Sequence, residues 1–150
     1  MKALLVCSSV AHGNTRRVAD EMAAELGCLV VEPAQIAAPG LDGYDLVGFG
    51  SGVYDFAFHP DLNALVDSLP VAERGRAFVF GTSGTPEPPF ARYTRRFADR
   101  LAAKGYDVAG TFLCRGLDTW GPFKLVGGIG RARPNDDDLA AARAFAAGLR

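Results

Sequence analysis

Between the apolar run Ala3-Leu4-Leu5-Val6 and a stretch of helical spacing lies Cys7-Ser8-Ser9-Val10-Ala11-His12-Gly13-Asn14-Thr15, where the residues best suited to chemistry are gathered. The hydroxyls of Ser8, Ser9 and Thr15 and the amide of Asn14 are uncharged hydrogen-bond donors, and Gly13 lets a ligand approach the backbone closely. Val18, Met22 and Leu26 recur every four residues with Ala19 and Ala23 beside them, so a helix with one buried face follows. An apolar run this short, ended by serines, reads as a buried strand feeding that helix. A helix N-terminus leaves N–H groups without intrahelical partners at its positive dipole end, which suits an anion. The segment therefore reads as a phosphate cradle; the plainer reading is a helix start capped by Asn14 or Thr15. His12 is either a solvated loop residue or a direct phosphate contact.

Counting excludes the better-known phosphate loops. A nucleoside triphosphatase loop needs Lys after its last glycine, and Asn14 follows Gly13. A small cysteine phosphatase needs Arg six residues after its nucleophile, and six after Cys7 is Gly13. The nearest echo of a dinucleotide fingerprint, Gly48-Phe49-Gly50-Ser51-Gly52-Val53, has Val53 where the third glycine belongs. Gly81-Thr82-Ser83-Gly84-Thr85 fails as a hydrolase elbow, because Thr85 replaces a glycine and both histidines, His12 and His59, precede it.

The elements that position these residues follow from periodicity. The 150 residues, 49% apolar with a net charge of -1, fit one domain with a single core, and near neutrality argues against nucleic acid. No apolar segment approaches the ~18 residues of a membrane span, and Met1 to Val6 is too short for a secretory signal, so a cytoplasmic location is expected. Cys7, Cys28 and Cys114 lack metal-ligand spacing and are expected to be free buried thiols, with no metal site. Gly27 should stop the first helix, Cys28–Val31 form a second buried strand, and Tyr44–Phe49 a central third one. Pro60–Leu69 reads as a helix, Arg76–Gly81 as the fourth strand, Pro89–Lys104 as a helix burying Tyr93, Phe97 and Leu101, Asp107–Cys114 as the fifth strand and Asp136–Leu149 as the last helix. Arg92, Arg95, Arg96, Arg100 and Lys104 on the third helix are either a solvated face or a docking surface for an acidic partner.

Strands alternating with helices predict an α/β three-layer sandwich: a five-stranded parallel sheet in the order 2-1-3-4-5 with helices on both faces. The carboxyl ends of strands one, three and four, Ser8-Ser9, Ser51-Gly52 and Thr82-Ser83-Gly84, then meet at the switch point where such sheets bind ligands. In that order Cys7 and Cys114 stand roughly 14 Å apart, too far for a disulfide.

Ser followed by Gly13-Asn14-Thr15 between the first strand and first helix closely resembles the FMN-phosphate loop of the flavodoxins, although three residues rather than the usual two separate Ser9 from Gly13. The resemblance covers nearly the whole chain and implies a flavodoxin-like fold with FMN as cofactor. It assigns the phosphate to Ser8, Ser9, His12, Gly13, Asn14 and Thr15. It assigns the ring face to Tyr54 or Val53, the ring edge to the backbone of Ser51, Gly52, Val53 and Tyr54, and the carbonyl side of the flavin to backbone N–H groups around Thr82, Ser83 and Gly84. Many flavodoxins place glycine after the stacking aromatic, where this chain has Asp55. Phe56 and Phe58 are read as packing under that loop. The long connector 115–135 holds Asp118 and Trp120 and either lids the ring, shapes a pocket, offers a partner surface or packs over the sheet edge. Its Cys-Arg-Gly…Asp-Thr-Trp-Gly-Pro pattern resembles uncharacterised members of the family. The implied function is electron transfer between a flavin reductase and an electron-acceptor protein. The alternatives are an FMN-dependent oxidoreductase acting on a quinone or porphyrin precursor, and a flavin-free signalling or scaffold domain.

Overall fold

The computed structural model describes residues 1–8, 13–54, 57–84, 87, 92–115 and 134–150, with Tyr54 and Arg115 described by backbone alone. In chain order the elements are β1 (Ala3–Ser8), α1 (Asn14–Leu26), β2 (Leu29–Val31), two short 3-10 turns (Pro33–Gln35 and Ala38–Leu41), β3 (Leu46–Tyr54), β4 (Ala57–Phe58), α2 (Pro60–Ser68), β5 (Arg76–Ser83), α3 (Tyr93–Ala103), β6 (Asp107–Arg115) and α4 (Asp136–Ala147). The sheet runs β2-β1-β3-β5-β6, all parallel, which is the expected 2-1-3-4-5 order of the long strands. A sixth strand, β4, pairs antiparallel with the end of β3 and lies off that path.

The two faces of the sheet are read directly from alternation along the strands. Leu4, Val6, Val47, Phe49, Ala77 and Val79 join Leu62, Val66, Tyr93, Phe97 and Leu101 in one core, under α2 and α3. Leu5, Cys7, Leu46, Phe78 and Phe80 point the other way and meet Val18, Met22, Ala142 and Ala146 of α1 and α4. Strands apolar on both faces belong in a covered parallel sheet, as the sequence of β3 and β5 requires.

The glycines of Gly48-Phe49-Gly50 serve this packing rather than a dinucleotide. Gly48 sits opposite Phe78 and Gly50 opposite Phe80 in the β3–β5 register. A Cβ on Gly48 would lie 2.4 Å from the Phe78 ring, and one on Gly50 2.0 Å from the Phe80 ring. The rings occupy the volume that side chains on β3 would need.

Three expectations are corrected. β2 is shorter than Cys28–Val31 and is not buried: it pairs only with β1 and leaves Leu29 74% exposed, because an edge strand is covered on fewer sides. β3 does not end at Phe49 but continues through Gly50-Ser51-Gly52 to Tyr54, and turns into β4, so much of the expected middle loop is a hairpin. α3 begins at Tyr93 rather than Pro89, since Arg92 is its N-cap in a left-handed conformation, φ 48°, that no helix continues through. Gly27 ends α1 as expected, at φ 66° with its N–H on the Ala23 carbonyl.

Because a methyl group on Gly50 would enter the Phe80 ring, Gly50→Ala is expected to destabilise the chain by about 1–3 kcal/mol or more through overpacking. Urea denaturation of the variant beside Ala103→Gly, an exposed change near a helix end, checks this; an unchanged midpoint for Gly50→Ala contradicts the packing account.

Candidate functional site

Parallel strands bring their carboxyl ends to one edge, and the register fixes which residues meet there. Ser8 of β1 stands beside Ser51 of β3, and Ser51 beside Gly81 of β5. The next row is Gly52, Thr82 and Cys114, and beyond it Ser83 pairs with Arg115 of β6. With strands ~4.8 Å apart, Ser8, Ser51 and Gly81 span two strand spacings. The edge is lined by small polar residues and glycine.

Helix α1 starts against this edge. Gly13 is its N-cap at φ 67°, a conformation that favours glycine, and makes no side-chain cap. Its first turn holds no acidic residue but does hold Arg16 and Arg17. The other helices are finished differently. Asp61 lies in the first turn of α2, where His59 Nδ1 accepts from the Asp61 N–H at 3.0 Å. The Glu87 carboxylate accepts from the Thr94 N–H at 3.0 Å and from its hydroxyl at 2.5 Å in α3. Asn135 and Asp138 form a capping box on α4 at 2.9 and 3.0 Å. Of the four helices among the described residues, α1 alone has no carboxylate at its positive end.

Thr15 and Thr82, expected on different parts of a ligand, are hydrogen-bonded to each other: their hydroxyl oxygens lie 2.7 Å apart, and both residues are buried. One hydroxyl donates and the other accepts. The accepting hydroxyl keeps its own proton for a third group, so the pair still offers one donor. The bond fixes the start of α1 to the tip of β5.

Ser51 has a different role from the one its position suggests. Its side chain is fully buried; its hydroxyl donates to the Gly52 carbonyl at 2.6 Å and accepts from the His59 N–H at 2.9 Å. Only the backbone of Ser51 remains for a ligand. The hydroxyl holds the β3–β4 hairpin against the start of α2.

Tyr93, read in sequence as core, also shapes this edge. Burial raises its pKa, the neighbouring Ser83 side chain partly offsets this, and its ring meets Phe58 edge-on at 5.9 Å. It thereby packs the first turn of α3 against β4 of the hairpin. No spacing rule could have found Tyr93 or Glu87, because their partners lie in other elements. His59 could have been found, since a residue just before a proline at the first helical position is the natural cap.

Of the expected site residues, the structure brings Ser8, Ser51, Gly52, Thr82 and Ser83 to one edge, with Gly84 following β5, and Gly13, Asn14 and Thr15 at the adjoining helix start. Val53 is half-buried and packs against the α2–α3 core. Phe58 is core, as expected, on that same face. Ser9, His12, Phe56, Asp118 and Trp120 lie outside the described residues. Cys7, Cys28 and Cys114 are free thiols. Cys7 and Cys114 are buried, whereas Cys28 is only half-buried, contrary to expectation. Among the described residues no His, Cys, Asp and Glu group could hold a metal ion, and no helix is long and apolar enough to cross a membrane.

A family model described as a flavodoxin domain matches residues 5–117. An uncharacterized protein of Methanocaldococcus jannaschii is 35% identical over 146 residues, which cover 97% of this chain and 96% of that protein. Among solved structures, a flavodoxin from the domain Archaea superposes with a TM-score of 0.72 at 17% identity, over 99% of this chain and 96% of the other. Oxidised flavodoxin 1 from Bacillus cereus gives a TM-score of 0.70 at 20% identity, over 98% and 95% of the two chains. The rubredoxin oxygen:oxidoreductase of Desulfovibrio gigas gives 0.72 at 14%, but this chain covers only 34% of that one. At these identities the superpositions speak for the fold.

Burial pushes the Cys7 thiol from 9.0 up to about 12, and raises Cys28 by the same cause. A raised thiol pKa favours the neutral form in the folded state, so the stability it contributes is intact below pH 9 and lost as pH rises toward 12. Iodoacetamide at pH 8 is therefore expected to modify the more accessible Cys28 well before Cys7, as peptide mass spectrometry of the native protein would show. Equal labelling rates would contradict the burial of Cys7 beneath this edge.

Proposed function

The chain belongs to the flavodoxin domain family, and from that premise we propose that it binds FMN at the carboxyl edge of β1, β3 and β5 and works as an electron carrier. Family and fold together point to flavin-binding electron transfer. The observation that supports the finer assignment is the joining of the α1 start to the β5 tip through Thr15 and Thr82.

The residues present fit the cofactor. A phosphate dianion belongs at a positive helix end without a carboxylate of its own, and Gly13, Asn14 and Thr15 stand there. Ser8 would complete the set from the end of β1, with Ser9 next in the sequence. The remaining proton of the Thr15–Thr82 pair is suited to a phosphate oxygen or to the chain that links phosphate and ring. A flat tricyclic ring needs an edge without bulky side chains, which the rows Ser8–Ser51–Gly81 and Gly52–Thr82 supply. The backbone of Ser51, Gly52, Val53 and Tyr54 would bond the ring edge and that of Thr82, Ser83 and Gly84 its carbonyl side.

Bound FMN would supply one- and two-electron redox chemistry. The chain's own residues hold and orient it. Ser51 keeps the hairpin backbone in one place through His59, and Tyr93 packs on Phe58 of the same hairpin. Among the described residues the tips of β1, β3 and β5 carry no carboxylate, imidazole or ammonium group, which favours a carrier over an enzyme with its own acid or base. The electrons would arrive from a flavin reductase and leave to an acceptor protein.

Asn14→Ala with Thr15→Val is expected to weaken FMN by about 10- to 100-fold, the loss of one or two charge-assisted hydrogen bonds, while riboflavin, which lacks the phosphate, is hardly affected. Fluorescence titration of both ligands reads the difference, and retained riboflavin affinity shows that the variant is folded. Equal losses would place the phosphate elsewhere.

A further inference from the structure

A chain of hydrogen bonds runs from α3 to the ligand edge, and the cofactor reading uses only its last two bonds. It begins at Arg100, whose guanidinium bonds the Asn63 side-chain oxygen and the Asp67 carboxylate and donates to the Asn63 backbone carbonyl at 3.1 Å. Asn63 Nδ2 in turn donates to the Phe58 carbonyl at 3.0 Å and to the His59 carbonyl at 3.3 Å. The His59 N–H donates to the Ser51 hydroxyl, and that hydroxyl donates to the Gly52 carbonyl.

The chemistry at its two ends fixes the direction of the Asn63 amide. A guanidinium only donates, so the amide oxygen faces Arg100; backbone carbonyls only accept, so the nitrogen faces the hairpin. Arg100 is itself placed by packing: its guanidinium lies 5.9 Å from the centre of the Phe97 ring, and Phe58 meets that ring edge-on at 5.1 Å. Apolar contacts thus set the Phe58 side chain, and the Asn63 amide sets the backbone that carries it. The hairpin needs such support, because β4 has only two residues and a lone pair of short strands has little stability of its own. Val53 pairs with Phe58 and Tyr54 with Ala57, so what holds the Phe58 and His59 carbonyls also holds the end of β3.

We infer that Asn63, oriented by Arg100, is a positioning residue that sets the backbone of Gly52 to Tyr54 against the ring of the ligand. It acts through Phe58 and His59, at the end of the site opposite the phosphate. The role rests on the reading that a flavin ring lies at this edge.

The test compares Asn63→Asp with the unaltered chain. Aspartate keeps an oxygen for Arg100, and with it the α2–α3 contact, but has no N–H for the two hairpin carbonyls. In the 15N-labelled chain without ligand, the His59 amide proton is expected to exchange with solvent about tenfold faster, while that of Val79 in the central strand is unchanged. Fluorescence titration should show riboflavin and FMN weakened by the same factor, about three- to tenfold, whereas the phosphate-end substitutions separate the two ligands. Arg100→Met keeps an apolar stem on Phe97 and leaves the Asn63 amide free to turn. It should act in the same direction, and it carries the test should Asn63→Asp not fold. Loss of FMN affinity alone, or unchanged affinity for both ligands, overturns the proposal and leaves the cofactor reading standing. Equal acceleration at His59 and Val79 overturns it too, since that marks a general loss of stability. An unaltered chain that binds neither flavin removes the cofactor reading and this role with it.

Discussion

A phenylalanine ring laid on a glycine of the next strand sets the spacing on which the centre of this sheet depends. Phe78 and Phe80 cover Gly48 and Gly50, and neither glycine could carry even a methyl group without meeting a ring. The pairing fills the α1–α4 side of β3 with side chains borrowed from β5. On the opposite side Phe49, between the two glycines, joins the α2–α3 core and meets Phe97 and Tyr106 at 6.2 and 5.6 Å. β3 and β5 are thereby locked in register along their length, and the register decides what meets at the carboxyl edge: Ser51 with Gly81, Gly52 with Thr82. A slip of one residue would reverse both faces and scatter that row.

The same edge shows how a small set of hydroxyls divides between structure and ligand. Ser51 uses its proton on Gly52 and its lone pair on His59, so it builds the hairpin and offers a ligand only backbone. Thr15 and Thr82 use one proton between them and retain another. An unpaired buried hydroxyl costs about 1–3 kcal/mol, so a site made of uncharged groups stays buried without a ligand only if its members bond one another. The Thr15–Thr82 pair meets that condition.

The order of the long strands, the two-sided core and the convergence of the three strand tips were legible because each follows from local alternation or helical spacing. What escaped depends on contacts between distant segments. Gly50-Ser51-Gly52 reads as the end of a strand by composition, yet β3 continues through it, held by a serine bond to His59 rather than by burial of an apolar residue. Cys28–Val31 has the composition of a buried strand; it is exposed because strand order puts it at an edge, and no window of sequence contains strand order. Arg92 takes a left-handed conformation that its residue type does not announce, and with it α3 starts later than the proline pattern suggests. Arg100 and Lys104 looked equivalent to Arg95 until the position of Asp67 on α2 separated them.

The helix ends supply the last link between fold and site. Electrostatics alone would place a carboxylate near every helix N-terminus, and α2, α3 and α4 have theirs from Asp61, Glu87 and the Asn135–Asp138 box. α1 has Gly13 at the cap and Arg16 and Arg17 in the first turn, an arrangement that adds positive charge to a positive end. In the field of the helix alone that arrangement is unfavourable, and the Arg16–Asp20 ion pair offsets part of it. Among the described residues nothing lies within 4 Å of where a Cβ on Gly13 would stand, and the adjacent strand tips are held by Thr82 and Ser51. The start of α1, which has no acidic residue in its first turn, thus adjoins the same strand tips whose register the core packing sets.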